Sequence, residues 1–233
     1  MITDGLWAAM EPLVHPAKRH KGGQPPVLPD RMCFEAVLSI ARTGIPLRDL
    51  PGEFGGWDAV YNRFRRWVAS DALARLFEAM TADPQFGEVR RVLVDATNIR
   101  AHRHAAGARR THKHLGAAES ARRQGLGRSR GGLTSKIVLT AADESTAIAV
   151  DVRPGQAHDA PLLRPMLERT AARRDEVDQV VGDKAFDGAA QRRACAAIGA
   201  QAVIPAKPNR VAPEPLDRAA YRERNRVERC SPN

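Results

Sequence analysis

Apolar positions recur at helical spacing through residues 1–84. In RMCFEAVLSIART (31–43), Met32, Cys33, Ala36, Val37, Ile40 and Ala41 form a stripe of 3.6-residue period, and Gly44 behind it reads as a helix stop. PLRDLPGEFGG (46–56) is short and broken by Pro and Gly. WDAVYNRFRRWVAS (57–70) is amphipathic again. Trp57, Val60, Phe64, Trp67 and Val68 lie along one face, and Asn62, Arg63, Arg65 and Arg66 lie largely off it. A short helix, a turn and a helix with an arginine-rich exposed face outline a helix-turn-helix DNA reader. A helical bundle with a basic exposed face has the same pattern, so on this segment alone both readings stand.

TADPQFG (81–87) is polar and contains Pro84, and behind it the period changes. This places a boundary between a helical unit, 1–84, and a second unit, 85–233. VRRVLVDAT (89–97) has the continuous apolar run Val92-Leu93-Val94 and ends in Asp95. SKIVLTAADESTAIAVDV (135–152) reads as two strands around a turn at Asp143-Glu144, APLLRPMLERTAAR (160–173) as a helix, and VDQVVGDKAF (177–186) as an apolar run ending in Asp183. GAAQRRACAAIG (188–199) is helical with Gly199 at its end, QAVIPAK (201–207) is a strand, and PLDRAAYRERNRVER (215–229) is helical. Strand, hairpin, helix, strand, helix, strand, helix is an α/β order with crossovers long enough for parallel neighbours. The Arg/His/Gly/Ala-rich stretch 100–132 is the one low-complexity insertion, expected to be mobile and ordered by its ligand.

Charge sharpens this picture. The net charge is +10, and most of the excess sits in one segment. Between Arg100 and Arg130 there are nine basic side chains (Arg100, Arg103, Arg109, Arg110, Lys113, Arg122, Arg123, Arg128, Arg130) against one acid, Glu119. Such a local field attracts a polyanion, with nucleic acid as the first expectation. The segment has too few bulky apolar residues to insert into a membrane surface. No stretch approaches the roughly 18–20 apolar residues of a membrane span. MITDGLWAAMEPLV lacks the charged and apolar regions of a signal peptide. Three widely spaced cysteines, Cys33, Cys195 and Cys230, suit reduced thiols in a cytoplasmic protein.

Two strands each end in a carboxylate, VLVD at Asp95 and VVGD at Asp183. In open α/β sheets, ligands gather at the carboxyl ends of strands, so neighbouring strands would bring Asp95 and Asp183 together. Two close carboxylates repel unless a cation neutralises them, and all-oxygen donors favour a hard ion, Mg²⁺ or Mn²⁺. Paired carboxylates with a third acid hold the two metals of phosphodiester chemistry. Either Asp alone reads more simply as a cap on a turn. Four other signals carry less. The pairs His102/His104 and His112/His114 lack a nearby Cys for zinc. GLGRSRGGLTSK lacks the Walker spacing, which excludes a nucleotide cofactor of that kind. Asp159 reads as a helix N-cap before Pro161, and Asp187 as a helix N-cap rather than a ligand.

The motifs VDATNIRAH, SRGGLTSKI, GQAHDAPLL, GDKAFD and YRERNRVER, with TGIPLRDLPGEFGGWDAVYNRFRRW before them, occur in one order across nearly the whole chain. In this the sequence resembles the DDE transposases of bacterial insertion sequences, the IS-five type. Tyr221, Arg224 and Glu228 match that family's Tyr-Arg-Glu signature. The resemblance implies a helix-turn-helix N-terminal domain followed by a ribonuclease-H-like mixed-sheet catalytic domain. Asp95 would lie on its first strand, Asp183 on its fourth and Glu228 on a C-terminal helix, together binding two Mg²⁺ ions, with Mn²⁺ as a substitute. The implied activity is cleavage of transposon-end DNA and transfer of the freed 3′-hydroxyl to target DNA, by a bacterial cytoplasmic protein. The implied partners are double-stranded DNA (terminal inverted repeats and target) and further copies of the chain on that DNA, with no membrane. Arg63, Arg65, Arg66, Arg100, Arg103, Arg109, Arg110, Arg128, Arg130, Lys136 and Arg224 are the expected DNA contacts. Arg224 would stand one helical turn before Glu228, orienting it or meeting a phosphate.

Members of that family continue the last helix with aromatic residues and a Lys about two turns past the Glu; here Cys-Ser-Pro-Asn follows. Pro232 disfavours helix at Ser231, and Glu228 falls in a last turn, where fraying and the unfavourable dipole end act on it. The sequence therefore suggests a C-terminally truncated member with weak strand transfer. The competing expectation is a catalytically inactive remnant that binds terminal repeats and represses.

Overall fold

The computed structural model describes residues 2–14, 28–82, 89–102, 104–105, 116–174 and 176–230, and the chain divides into the units Met1–Met80 and Thr81–Asn233. In the first, α1 (Asp4–Val14), α2 (Asp30–Thr43), α3 (Trp57–Ala69) and α4 (Ala72–Ala82) surround one apolar cluster. Phe34 of α2 lies between Trp7 of α1 and Trp67 of α3, with ring centroids 6.3 Å away on either side. Aromatic packing of this kind makes Trp67 worth about 3–5 kcal/mol against truncation to Ala. Gly44 ends α2 at φ 67, and its N–H donates to Ile40 O at 2.9 Å, the left-handed stop that a Cβ would strain. Two 3₁₀ turns, Leu47–Asp49 and Gly52–Phe54, follow it.

Both expected apolar stripes are rotated in the structure. On α2, Phe34 faces inward and Met32 and Ala41 face out. On α3, Val60 and Trp67 are buried, whereas Trp57, Phe64 and Val68 are exposed, with Tyr61 beside them. The arc taken as one apolar face is two, and the core uses only one. A buried ion pair explains the rotation: Arg63 turns inward against Asp30 and toward Leu28 O. That pairing fixes which side of α3 meets α2.

The second unit is built on six strands: β1 (Arg91–Arg100), β2 (Gly127–Ser129), β3 (Gly132–Ala141), β4 (Ala147–Pro154), β5 (Gln179–Val181) and β6 (Gln201–Val203). β3 is antiparallel to β1 and β4, and β1, β5 and β6 are parallel, giving the order β4-β3-β1-β5-β6. This is a mixed sheet, with parallel and antiparallel neighbours, as the element order implied. The β3–β4 turn is closed by Asp143, whose carboxylate accepts from the backbone and hydroxyls of Ser145 and Thr146. On one face α6 (Leu163–Ala171) and α7 (Ala189–Ala197) cover Val92, Val94 and Val180. On the other, α8 (Arg218–Arg222) and α9 (Asn225–Cys230) contribute Ala220 and Val227 over Leu93, Leu139, Val181 and Val203. The run Val92-Leu93-Val94 is apolar throughout because β1 is covered on both sides.

Two expectations are corrected here. The insertion 100–132 is not wholly without structure: α5 (Ala117–Gln124) and β2 lie within it. Glu119 pairs with Arg122 and Arg123 one turn on, Gly125 stops α5 at φ 62, and β2 takes the part of the β3 edge that β4 leaves open. With β2 counted, Asp183 follows the fifth strand rather than the fourth. The helix expected over 215–229 is two short helices. At Glu223 and Arg224 the backbone donates to Ala220 O and Tyr221 O, i−3 bonds that tighten the turn before Asn225, a weak helix former.

Candidate active site

β1 and β5 are adjacent and parallel, with Leu93 beside Val181 in register. Asp95 and Asp183 each lie two residues further on, Asp95 still within β1 and Asp183 in the turn just past the end of β5, so both follow the paired stretch in the same direction. Strand alternation puts Asp95 on the face of Leu93, the face covered by α8 and α9. The Asp95 carboxylate is largely buried; its Oδ2 accepts from the Thr97 hydroxyl at 2.7 Å, and its Oδ1 lies 4.0 Å from Arg224 Nη2. Arg224 sits in the turn between α8 and α9 and approaches Asp95, a neighbour that the sequence reading did not name. Glu228 lies on α9, next to Val227, which is buried over Leu93 and Val181; its side chain is outside the described residues.

Asp183 caps the 3₁₀ turn Lys184–Phe186, with Oδ1 accepting from Ala185 N at 2.8 Å. Gly182 before it sits close to its neighbours: a Cβ there would stand 3.3 Å from the Phe186 ring, which would have to give by a few tenths of an ångström, and 3.7 Å from Ile204. Asp187 closes the same turn. It does not cap α7 but lies 1% exposed, accepting from Lys207 N at 2.8 Å, Arg192 at 3.1 Å and Arg210 at 2.7 Å. Burial pushes its carboxyl up, but the Lys207 N–H and the two guanidiniums outweigh burial and hold it below the usual carboxylate range.

Among the described residues no group of three or more His, Cys, Asp or Glu is gathered as for a metal, and that search leaves out Glu228. A donor set of carboxylates such as Asp95 and Asp183 suits a hard divalent ion better than zinc. Neither described cysteine competes as a nucleophile. Burial pushes the Cys33 thiol up to about 12 and that of Cys195 up to about 11, so both stay protonated at neutral pH.

The expected DNA contacts divide. Arg65 and Arg66 are exposed on α3, and Arg100, Arg128 and Arg130 are exposed where β1, β3 and β2 meet. Arg100 is five residues beyond Asp95 along β1, roughly 17 Å toward the strand's carboxyl end. Arg63 is engaged inside the fold with Asp30, and Lys136 is 8% exposed, bound to Asp159 and to Ala157 O at 2.6 Å. Asp159 therefore uses its carboxylate on Lys136 and caps no helix N–H. Arg103, Arg109, Arg110, His112 and His114 lie outside the described residues. His102 and His104 face one another edge-on, with ring centroids 4.7 Å apart. Sequence reading did not single out Thr97, although its place two residues after Asp95 on one strand face was the available signal.

Comparison with known proteins gives consistent matches. Residues 2–77 match the family model described as "Putative transposase of IS4/5 family", and residues 88–231 match the model described as "Transposase DDE domain". A protein of Sinorhizobium fredii (strain NBRC 101917 / NGR234), "Uncharacterized protein y4sN", is 36% identical over 109 residues, which cover 47% of this chain and 83% of that one. "Insertion element IS402 uncharacterized 16.2 kDa protein" of Burkholderia cepacia is 34% identical over 108 residues, covering 43% of this chain and 74% of that one. Among solved structures, "Mos1 transposase paired-end complex with left transposon end" matches 80% of this chain at 15% identity with a TM-score of 0.31, and the chain spans 62% of its length. No described helix is long and apolar enough to cross a membrane.

Proposed function

Because the chain belongs to the insertion-sequence DDE transposases of the IS4/5 type, we propose that it cuts transposon-end DNA and joins it to a target, with Asp95, Asp183 and Glu228 as its catalytic acids. The observation that supports this most is that Asp95 on β1 and Asp183 just past β5 follow two adjacent parallel strands in the same direction, with Asp95 on the face over which α9 carries Glu228. Asp95, Asp183 and Glu228 would hold divalent ions, Mg²⁺ first. When bound, these supply Lewis acidity for a water or 3′-hydroxyl nucleophile and for the leaving oxygen.

The chain's own residues do the positioning. Thr97 fixes one Asp95 oxygen, and the Lys184–Phe186 turn fixes one Asp183 oxygen. Arg224, near Asp95, balances charge at the site or meets a DNA phosphate. Arg65, Arg66, Arg100, Arg128 and Arg130 offer positive charge to the DNA backbone, which steers and registers the duplex without reading its sequence. Copies of the chain would act together on paired ends.

The test is a nicking assay on labelled duplexes taken from the DNA flanking the gene, with Mg²⁺ present. Wild type should nick at the element boundary. Asp95→Asn and Asp183→Asn should each lose about 10³-fold or more in rate, with duplex binding retained. Equal nicking by wild type and Asp95→Asn would refute the assignment.

A further inference from the structure

α3 has three faces, and the functions above use two. Val60 and Trp67 enter the core. Asn62, Arg65, Arg66 and Ala69 line an open groove of about 540 Å³. The third face carries Trp57, Tyr61, Phe64 and Val68, between 36% (Phe64) and 52% (Val68) exposed. Their spacing is four, three, four, the a/d seam of paired helices and narrower than the stripe a helix needs against its own core. Single exposed apolar residues need no explanation, but four in one seam, three of them aromatic, mark an interaction surface.

We propose that this seam packs against the same seam of a second copy, antiparallel and two-fold symmetric. The charges beside it select that occupant. Asp58 and Arg65 flank the seam on one edge, near its opposite ends, and both are exposed. When Trp57 is layered on Val68 of the second copy and Tyr61 on its Phe64, Asp58 comes beside Arg65 of that copy, and the reverse pair forms by symmetry. The Arg65 guanidinium, 5.7 Å from the Tyr61 ring centre in the single chain, is already on the seam's border. Arg48 borders the other end, its guanidinium 5.6 Å from the Trp57 ring centre.

Four side chains per copy bury less than the roughly 800 Å² per partner of a standard interface. The pair is therefore weak in free solution and is favoured when two copies are held on one DNA, where the effective concentration is high. The inference deepens the multimeric reading of the proposed function but does not depend on the catalytic acids; its failure leaves the Asp95→Asn nicking result untouched.

Sedimentation of the full chain over a wide concentration range, without DNA, tests it. Wild type should show reversible monomer–dimer exchange. Val68→Glu should remain monomeric with an unchanged circular dichroism melt. Asp58→Arg and Arg65→Asp should each weaken the dimer about tenfold, and the double variant should recover most of that loss. A monomeric wild type at every concentration, a Val68→Glu dimer as tight as wild type, or a double variant no better than the singles would overturn the proposal. So would Val68→Glu keeping the wild-type mass distribution while losing affinity for an oligo(dT) probe, since the seam would then stack bases.

Discussion

Asp95 and Thr97 lie two residues apart on β1, so the strand turns both side chains to one face, and the hydroxyl fixes one carboxylate oxygen at 2.7 Å. Outer partners of this kind orient a metal ligand, and their loss typically costs 10–100-fold in metal affinity or activity. Thr97→Val preserves shape and β propensity. It should raise the Mg²⁺ concentration for half-maximal nicking about tenfold while leaving the thermal midpoint nearly unchanged; an unchanged Mg²⁺ requirement would remove Thr97 from the site. At this scale the sequence placed Asp183 correctly just past its strand, but β1 does not end at Asp95 as the apolar run suggested; it continues five residues to Arg100 along the β3 edge. The sequence also misled at Arg63 and Lys136, because a basic side chain does not announce its acid. Asp30 and Asp159 stand far off in the chain, and only the fold brings them close.

The turn from Gly182 to Asp187 is the element that presents Asp183. It is held at one end by β5 and at the other by the buried Asp187 among Arg192, Arg210 and Lys207 N. The Asp187 carboxyl is held below its ordinary range, so it contributes stability above its unfolded value, near pH 4, and that contribution disappears as pH falls through the lower folded value. Asp187→Asn should therefore cost roughly 2–3 kcal/mol at pH 7. Denaturant melts at pH 7 and pH 3 should show that gap narrowing on acidification; a gap independent of pH would contradict the charged pairing. The apolar runs marked β1, β5 and β6, and Gly44 and Gly199 marked helix ends, since burial and left-handed backbone both leave local signatures. The split between α8 and α9 left none, because it depends on i−3 hydrogen bonds at Glu223 and Arg224 that helical periodicity does not encode.

Across the whole chain, the strand-helix alternation was enough to expect parallel neighbours, and the sheet order then follows from β1 lying between β3 and β5. What alternation could not give was the register, and the register is what matters, because a slip between β1 and β5 would separate the two acids along the sheet. Leu93 lies beside Val181, and although Asp183 also caps the Lys184–Phe186 turn, the proposed function has it share one ion site with Asp95. Mn²⁺ binding followed by electron paramagnetic resonance, on the full chain with duplex DNA, measures that sharing. The account predicts that Asp95→Asn and Asp183→Asn each abolish the wild-type bound-ion signal. Wild-type Mn²⁺ affinity in either variant would show that the two carboxylates do not hold an ion in common.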